Sequence, residues 1–351
     1  MRIAFILTAL VNQGSISVFK ELITHLKPKD VVVDLYYFDE KIENDIDCNK
    51  QRISFSKSLP TYDYDIVHST GIRPDLYVYL NKRKFSAKTK FLTTIHSFIR
   101  KDFNNEYNRV VSFLASNFWY KILGAQDKIV VLTNDAKSYY SKLLSSPISV
   151  VNNGRTNVEN NLISDEDSWL LTQLGKKYKI IGTHAKISKI KGLEIVIQSL
   201  VILKDYVFVV VGKGKDLPEL KLLAEKLAVQ DRCIFLGYRS NIIPFFKFYQ
   251  VYVMPSRSEG LPMALIEAVA NRVPCLCSDI PTFKEVFSDE EVLKSPLGDV
   301  DEFTRKIIEL ENPQTRESLV DNAFDKYLSS YTGEVMADNY YALYSKILRR
   351  K

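Results

Sequence analysis

The stretch QVYVMPSRSEGLPMALIEAVA, residues 250–270, places a Val-rich run, a polar turn and an apolar run in direct succession. This order predicts a buried strand, a loop and a helix. Glu267 is a charged residue inside the apolar run MALIEAVA. A buried carboxylate is costly unless it accepts hydrogen bonds or pairs with a cation. Glu267 therefore needs donors, which either a bound ligand or a core Arg or Lys would supply.

The same alternation of predicted strands and helices extends in both directions from this stretch. Short runs rich in Val and Ile alternate with longer segments of helical period, as in parallel sheets covered by helices. Six strands are predicted in each half of the chain: 2–7, 31–37, 65–69, 90–95, 128–133 and 148–151, then 178–184, 206–212, 232–237, 250–254, 273–278 and 291–294. The polar stretch 155–168 between the halves is predicted to be a hinge.

The sequence thus predicts an α/β protein with two Rossmann-like, doubly wound domains that face each other across a cleft. Residues 1–160 would form the first domain and residues 161–332 the second, with the amphipathic helix 333–351 packing back on the first. In such sheets ligands bind at the carboxyl ends of the strands. Functional residues are therefore expected in the loops that follow the strands.

Composition narrows the classes of partner. The chain has 351 residues, 46% of them hydrophobic, and a net charge of +6, which is typical of a globular protein that binds an anionic small ligand or acidic headgroups. No Lys- and Arg-rich block with interleaved aromatic residues supports nucleic-acid binding. None of the four cysteines forms a CxxC pair, so reduced thiols in a cytosolic protein are expected. The N-terminal apolar run is interpreted as a buried strand and not as a signal peptide.

Two loops have the composition of an anion site. Backbone N–H groups around Gly260, Leu261 and Met263 precede the predicted helix, whose dipole favours a phosphate-like group. Lys186 and Lys191 lie five residues apart in the loop that follows the strand 178–184. Two lysines at a helix start suit a diphosphate, although basic residues in such a loop are often only solvated.

These motifs together resemble those of the retaining glycosyltransferases of family 4 (GT4), which have the GT-B fold. The resemblance lies in K-I-S-x-x-K-G from Lys186, in G-K-G at 212–214, and in P-S-R-S-E-G-x-P at 255–262, with Glu267 eight residues after Glu259. VVNNG at 150–154 and TTIHSF at 93–98 are similar to further family segments. The resemblance covers nearly the whole chain.

The resemblance implies roles for individual residues. Lys186 and Lys191 would hold the donor diphosphate, Glu259 and His96 would lie near the reacting sugar, and these four are the expected catalytic residues. Lys186 stands where the family usually has arginine, which removes the bidentate fork. Glu267 would accept hydrogen bonds from the nucleotide ribose. The expected donor-binding residues are Gly14, Ser15, Gly214, Tyr238, Gly260, Leu261, Met263 and Glu267.

The implied function is retaining transfer from a nucleotide sugar, preferably a UDP-sugar, to a saccharide or polyprenyl-diphosphate-linked acceptor in surface polysaccharide (O-antigen, capsule or lipopolysaccharide) synthesis. The resemblance implies no cofactor and no metal, and the acidic patterns at 45–47 and 63–65 are interpreted as solvated loops. A cytoplasmic protein is expected, with peripheral contact to an anionic inner membrane through the segments 98–103 and 117–123. A sugar-nucleotide epimerase of related fold, or a non-catalytic nucleotide-sugar-binding subunit, is the alternative.

Overall fold

Two separate parallel sheets organise the chain. The computed structural model describes residues 1–11, 14–43, 46–56, 59–156 and 162–349. The chain divides into unit 1, made of Met1–Thr156 and Ser330–Lys351, and unit 2, made of Asn157–Ser329. Among the described residues, no helix is long and apolar enough to cross a membrane.

Unit 1 contains a seven-stranded sheet in which all pairings are parallel. Its strands are β1 (Arg2–Leu7), β2 (Val32–Tyr37), β3 (Asn49–Arg52), β4 (Ile66–Ser69), β5 (Lys90–Ile95), β6 (Lys128–Val131) and β7 (Ile148–Val150). Its helices are α1 (Gly14–Leu26), α2 (Ile72–Asn81), α3 (Ile99–Glu106), α4 (Arg109–Leu123) and α5 (Asn134–Tyr140), joined by the last helix of the chain, α13 (Gly333–Arg349).

Unit 2 contains a six-stranded parallel sheet. Its strands are β8 (Lys179–His184), β9 (Tyr206–Val211), β10 (Cys233–Gly237), β11 (Val251–Met254), β12 (Cys275–Ser278) and β13 (Leu293–Ser295). Its helices are α6 (Asp165–Lys177), α7 (Glu194–Ser199), α8 (Leu217–Lys226), α9 (Met263–Ala270), α10 (Pro281–Val286), α11 (Val300–Glu309) and α12 (Pro313–Ser330). All six residues of β9 are buried, as expected for a central strand covered on both faces.

Both sheets have the doubly wound strand order. It is β3-β2-β1-β4-β5-β6-β7 in unit 1 and β10-β9-β8-β11-β12-β13 in unit 2. The order reverses between β1 and β4 and again between β8 and β11, and a crevice opens at the carboxyl ends of the strands at such a switch point. The loop that carries Lys186 and Lys191 follows β8, and the loop that carries Glu259 follows β11. The two loops therefore flank the switch point of unit 2.

All twelve predicted strands occur, and two predictions about the chain's polar segments were wrong. The sequence analysis missed β3, whose residues Asn49–Arg52 are polar and mostly exposed because they form the edge of the sheet. The predicted hinge 155–168 also extends too far. Helix α6 begins at Asp165, because the Ser164 side chain accepts a hydrogen bond from the Asp167 amide at 3.1 Å and three acidic residues occupy the first turn. Residues 157–161 of that stretch lie outside the described residues.

The acidic pattern 63–65 lies at the amino end of the unit 1 sheet. The Asp65 carboxylate accepts a hydrogen bond from the Arg2 amide at 2.8 Å, and the Tyr64 hydroxyl donates to Asp34 at 2.8 Å. Asp65 therefore holds the start of β1, at the edge opposite to the one where ligands bind. Asp45 of the other acidic pattern lies outside the described residues.

A buried hydrogen-bond chain fastens α13 to the sheet of unit 1. His68 at the end of β4 bonds the Tyr344 hydroxyl through Nδ1 at 2.7 Å and the Thr94 hydroxyl through Nε2 at 2.8 Å. Thr94 in turn lies 2.9 Å from the Tyr340 hydroxyl. Burial lowers the pKa of His68 well below its ordinary value, so the imidazole is neutral and can donate through one nitrogen while accepting through the other. His68 has a structural role here.

Candidate active site

The central contact of unit 2 is an ion pair between the two predicted loops. The Lys191 ammonium lies 2.6 Å from a carboxylate oxygen of Glu259. Both side chains are largely buried, with 21% and 12% of their surface exposed. Two opposite charges held at the carboxyl ends of β8 and β11 can bind a ligand that carries both negative charge and hydroxyl groups.

Close backbone packing fixes the two loops against each other. The Arg257 amide donates to the Ile190 carbonyl at 2.7 Å. Gly192 has φ +64, and a Cβ there would lie 2.1 Å from the carbonyl oxygen of Pro255. Only glycine satisfies both the left-handed backbone and this approach. The loop that carries Lys191 is therefore a rigid part of the site.

Gly214 has a packing role next to the Lys186 loop. The Ile187 amide donates to the Lys213 carbonyl at 3.0 Å, and a Cβ on Gly214 would lie 1.9 Å from the Ile187 carbonyl oxygen. The G-K-G motif therefore allows the loops after β8 and β9 to touch. Lys186 lies exposed on this loop, and donor contact by Gly214 stays a prediction.

The start of α9 differs from the anion site that the sequence predicts. Pro262 precedes the helix, which begins at Met263, and the Met263 amide donates to the Leu261 carbonyl at 2.9 Å. The prediction that the Met263 N–H is free for an anion was therefore wrong, because a tight turn at Leu261–Met263 uses it. Leu261 is buried and Gly260 is partly exposed. Thr282 also donates to the Glu259 carbonyl at 3.1 Å.

Glu267 lies in the second turn of α9 and is 9% exposed. Its charge acts on Tyr252 of β11: burial, and then the Glu267 carboxylate, raise the pKa of the Tyr252 hydroxyl. Tyr238 follows β10 and is exposed, with the Lys213 ammonium 5.7 Å from its ring centroid. The loops after β8, β9, β10 and β11, together with α9, thus carry the residues that the sequence assigned to the donor in unit 2.

His184 lies beside the loop that carries Lys186 and Lys191, and the sequence analysis assigned it no role. It ends β8, two residues before Lys186, and burial lowers its pKa to about 3. Its Nε2 lies 2.9 Å from the Tyr249 hydroxyl, whereas its Nδ1 and the buried Ser256 hydroxyl have no hydrogen-bond partner within the described part of the chain. A histidine that closes the strand before the Lys loop was the signal that could have revealed this residue.

In unit 1, His96 follows β5 and pairs with Asn153 after β7. The Asn153 amide nitrogen lies 3.4 Å from His96 Nδ1. Burial lowers the pKa of His96 to about 4, so the ring is neutral near pH 7. His96 Nε2 and Asn153 Oδ1 are both buried without a partner among the described residues. Asn153 was not predicted as a site residue, although it lies in the quoted VVNNG segment.

Gly14 and Ser15 are the first residues of α1 in unit 1. Gly14 is exposed, and a Cβ there would meet nothing within 4 Å. No neighbour in the described chain therefore requires glycine at this position. Phe19 of the same helix places its ring 5.9 Å from that of His96, so α1 borders the His96 pocket. Donor contact by Gly14 and Ser15 stays a prediction.

Comparison with known proteins identifies the chain. A family model described as glycosyl transferases group 1 matches residues 172–326, and one described as Glycosyltransferase Family 4 matches residues 48–155. The O-antigen biosynthesis glycosyltransferase WclY of Escherichia coli is 27% identical over 99% of both chains. The chain belongs to glycosyltransferase family 4.

Further relatives agree with this assignment. The UDP-Gal:alpha-D-GlcNAc-diphosphoundecaprenol alpha-1,3-galactosyltransferase of Escherichia coli is 23% identical over 86% of this family 4 chain and 80% of its own. A sucrose-phosphate synthase from Thermosynechococcus elongatus has a TM-score of 0.82 at 15% identity, with 100% of both chains covered. The GT-B fold is thereby confirmed, and the chain is a glycosyltransferase. Glycosyl transfer, not epimerisation, is its reaction.

No group of three or more His, Cys, Asp or Glu side chains is arranged to hold a metal ion in the described parts of this glycosyltransferase. Lys186 and Lys191 are among the cationic residues near the switch point of unit 2. Both are side chains of the β8 loop.

Proposed function

We propose that this glycosyltransferase moves a sugar from a UDP-sugar to a lipid-linked saccharide, with retention of configuration and without a metal, during synthesis of a bacterial surface polysaccharide. The observation that carries the proposal is the Lys191–Glu259 pair at the switch point of unit 2. The printed names of the relatives support the substrates: one acts in O-antigen biosynthesis, and one uses UDP-Gal and a diphosphoundecaprenol-linked acceptor.

The lysines supply the main catalytic effect in this proposal. Negative charge builds up on the diphosphate as the bond to the sugar breaks, and positive groups fixed at that point stabilise the transition state. Lys191 is rigidly placed by Gly192, and Lys186 precedes it on the same loop. A point charge at Lys186 replaces the fork of an arginine, so this lysine would neutralise a phosphate oxygen without fixing its orientation. The two ammonium groups take the place that a divalent cation has in other transferases.

The carboxylates bind the two sugars of the donor. Glu259, once Lys191 turns to the diphosphate, accepts hydrogen bonds from hydroxyls of the transferred sugar. Glu267 accepts hydrogen bonds from the vicinal hydroxyls of the ribose.

His96 acts as a neutral hydrogen-bonding group in this mechanism. Its pKa of about 4 makes it a poor proton acceptor near pH 7. With Asn153 donating to Nδ1, the proton lies on Nε2, which can donate to a sugar oxygen. Deprotonation of the acceptor then falls to the leaving phosphate.

The decisive experiment is a thermal-shift panel with UDP, GDP, ADP and CMP, each with and without EDTA. A nucleotide at 100 times its Kd stabilises the protein by about 2.7 kcal/mol. We expect UDP to stabilise the wild type equally with and without EDTA, and Glu267→Ala to lose the shift. Glu290→Ala, which removes an exposed carboxylate of the same unit, is the matched control and should keep it.

The result that contradicts the proposal is a wild type that no nucleoside diphosphate stabilises, or a UDP shift that survives in Glu267→Ala. A shift that EDTA abolishes would contradict metal independence alone. Retention is tested separately, by NMR of the anomeric proton in the transfer product.

A further inference from the structure

The loop after β8 is held from two sides at a short 3₁₀ turn, Lys189–Lys191. The Lys189 amide donates to the Asp216 carboxylate at 2.8 Å, and the Lys189 carbonyl accepts a hydrogen bond from the Arg257 guanidinium. Asp216 lies in the loop after β9 and Arg257 in the loop after β11, and both of these strands are neighbours of β8. Two side chains of opposite charge therefore fix the peptide groups on either side of Lys189.

The Arg257 guanidinium makes a second contact in the same region. Its Nη2 pairs with the Glu194 carboxylate in the first turn of α7, while its Nη1 bonds the Lys189 carbonyl. Because Lys189 and Glu194 lie on either side of Lys191, one guanidinium bridges the two ends of the segment that carries this lysine. A lysine lacks the planar fork that reaches two acceptors in this way.

The loop after β11 contacts the lysine loop through three of its residues. Pro255 packs against Gly192, and the Arg257 amide and guanidinium bond carbonyl groups of the turn. The third contact is the ion pair of Glu259 with Lys191. The proposed mechanism opens this ion pair when the diphosphate binds, whereas the contacts of Pro255 and Arg257 involve the backbone and stay in place.

We infer that Arg257 is a positioning residue for Lys191. It holds the main chain of the loop in place while the Lys191 ammonium exchanges the Glu259 carboxylate for the diphosphate. This inference rests on the proposed function, which assigns Lys191 to the diphosphate. A charge stabilises a transition state best when it is fixed in advance, and the long side chain of a lysine needs a fixed backbone for that. Arg257 acts through Lys191 and not by touching the donor.

The ion pair of Arg257 is too exposed to serve mainly the stability of unit 2. The Arg257 side chain is 48% exposed and that of Glu194 is 33% exposed. Ion pairs in contact with solvent contribute little to the free energy of folding. Removal of the guanidinium should therefore leave unit 2 folded and should act on the lysine loop.

Calorimetric titration of the full chain with UDP and with UMP tests this role. The two nucleotides differ by one phosphate, so the ratio of their Kd values reports how well the loop holds the diphosphate. We expect Arg257→Ala to weaken UDP binding at least about fivefold and UMP binding less than about twofold, because the charge-assisted hydrogen bonds that hold the loop are lost. Arg257→Lys keeps the charge without the fork and should lie between the wild type and Arg257→Ala.

The matched control is Arg272→Ala. The Arg272 side chain is 53% exposed and pairs with Asp321 at 2.7 Å, but it precedes β12 and so lies at the amino end of the sheet. This variant should bind both nucleotides as the wild type does. The melting temperature of each variant without nucleotide reports that it is folded.

Hydrogen exchange separates positioning from direct contact with the donor. The Lys191 amide donates to the Ser188 carbonyl at 2.9 Å within the turn. In Arg257→Ala without nucleotide, this amide should exchange faster than in the wild type. Weaker UDP binding with unchanged exchange would overturn the inference, because Arg257 would then bind the phosphate itself.

The nucleotide titrations distinguish failure of this inference from failure of the proposed function. A wild type that binds UMP as tightly as UDP would contradict the role of Lys191 in the proposed function, and the inference would fall with it. A wild type that prefers UDP, together with an Arg257→Ala variant that keeps the same preference, would overturn the inference alone. Equal weakening of UDP and UMP binding in Arg257→Ala would also overturn it, since Arg257 would then support the fold and not the diphosphate site.

Discussion

Glu259 pairs with the Lys191 ammonium group, which is the group assigned to the diphosphate in the proposed mechanism. The Lys191–Glu259 pair must therefore open before Lys191 can reach a phosphate oxygen. In the proposed mechanism the Glu259 carboxylate competes with the diphosphate for Lys191 but also binds the transferred sugar, so it would weaken nucleotide binding and support turnover. A substitution at Glu259 separates these two effects.

We expect Glu259→Gln to bind free UDP at least about fivefold more tightly than wild type, because even an exposed ion pair can cost about 1 kcal/mol to break and this pair is largely buried. The same variant should transfer sugar more slowly, since a neutral amide is a weaker acceptor for the sugar hydroxyls. Calorimetric titration with UDP and a product assay measure the two effects. Lys191→Met is the companion variant and should lose UDP affinity. Weaker UDP binding by Glu259→Gln would show that the pair does not compete with the diphosphate.

Residue roles could be predicted from the sequence only where a motif carries them. Lys191 and Glu259 lie in motifs, and the structure brings them together. The pairing of Asn153 with His96, and of His184 with Tyr249, joins residues 57 and 65 positions apart. Such contacts depend on which strand ends meet at a sheet edge, and no local pattern encodes them. The composition of this loop also does not predict that the Met263 amide is used inside a tight turn.

At the scale of elements, the strands were predicted best. Runs such as YVFVVV are buried on both faces, so hydrophobicity alone identifies them. The edge strand β3 escaped because NKQR is polar. The exposure of helix α4 was also not predicted. Its sequence has a helical period, but the side that faces the solvent is apolar. The sequence shows the spacing of the apolar residues, whereas the side that faces solvent follows from the rest of unit 1.

Removing the Tyr344 hydroxyl tests whether its hydrogen bond to His68 stabilises the packing of α13 on the sheet of unit 1. Tyr344→Phe removes the partner of His68 Nδ1 and leaves a buried polar nitrogen unsatisfied, which costs about 1–3 kcal/mol. We expect a lower midpoint of urea unfolding and faster hydrogen exchange in α13. Tyr341→Phe, on the same helix but 37% exposed, should behave as the wild type does. Equal stability of the two variants would mean that apolar packing alone holds the helix.

At the scale of the whole molecule, three histidines with lowered pKa values contribute to the response to acid. His68 and His96 lie in unit 1 and His184 in unit 2, and burial lowers the pKa of each below the ordinary 6.5. Unfolding restores their ordinary pKa, so the unfolded chain binds more protons below pH 6.5. Stability from these groups is therefore present above pH 6.5 and is lost as the pH falls towards 4.

The pKa shift of Asp75 in unit 1 changes the stability with pH in the opposite direction. Burial raises its pKa to about 6, against the hydrogen bonds from Ser69, Trp119 and Thr93. Because the folded state holds this proton more tightly, the stabilising contribution is complete below pH 3.8 and is lost as the pH rises through 6. Asp75 thus offsets part of the histidine effect in unit 1.

We expect the His184→Gln variant to take up one proton fewer than the wild type when it unfolds at acidic pH. The free energy of unfolding should then depend less on pH between 6 and 4, by about 1.4 kcal/mol per pH unit. Urea unfolding at half-unit steps of pH measures the slope, and the slope is informative even if the variant is less stable overall. An unchanged slope would show that His184 is protonated, or accessible to protons, in the folded protein.

The return of α13 to unit 1 has a consequence for how the protein is made on the ribosome. Unit 1 consists of residues from both Met1–Thr156 and Ser330–Lys351, whereas unit 2 is one continuous segment. Until α13 leaves the exit tunnel, the nascent unit 1 keeps His68 and Thr94 without the tyrosines that bond them. Unit 2 is complete before that moment and can fold first, although its synthesis begins second. A released chain truncated after Ser330 would therefore carry every strand and helix of unit 2 but a unit 1 that lacks α13.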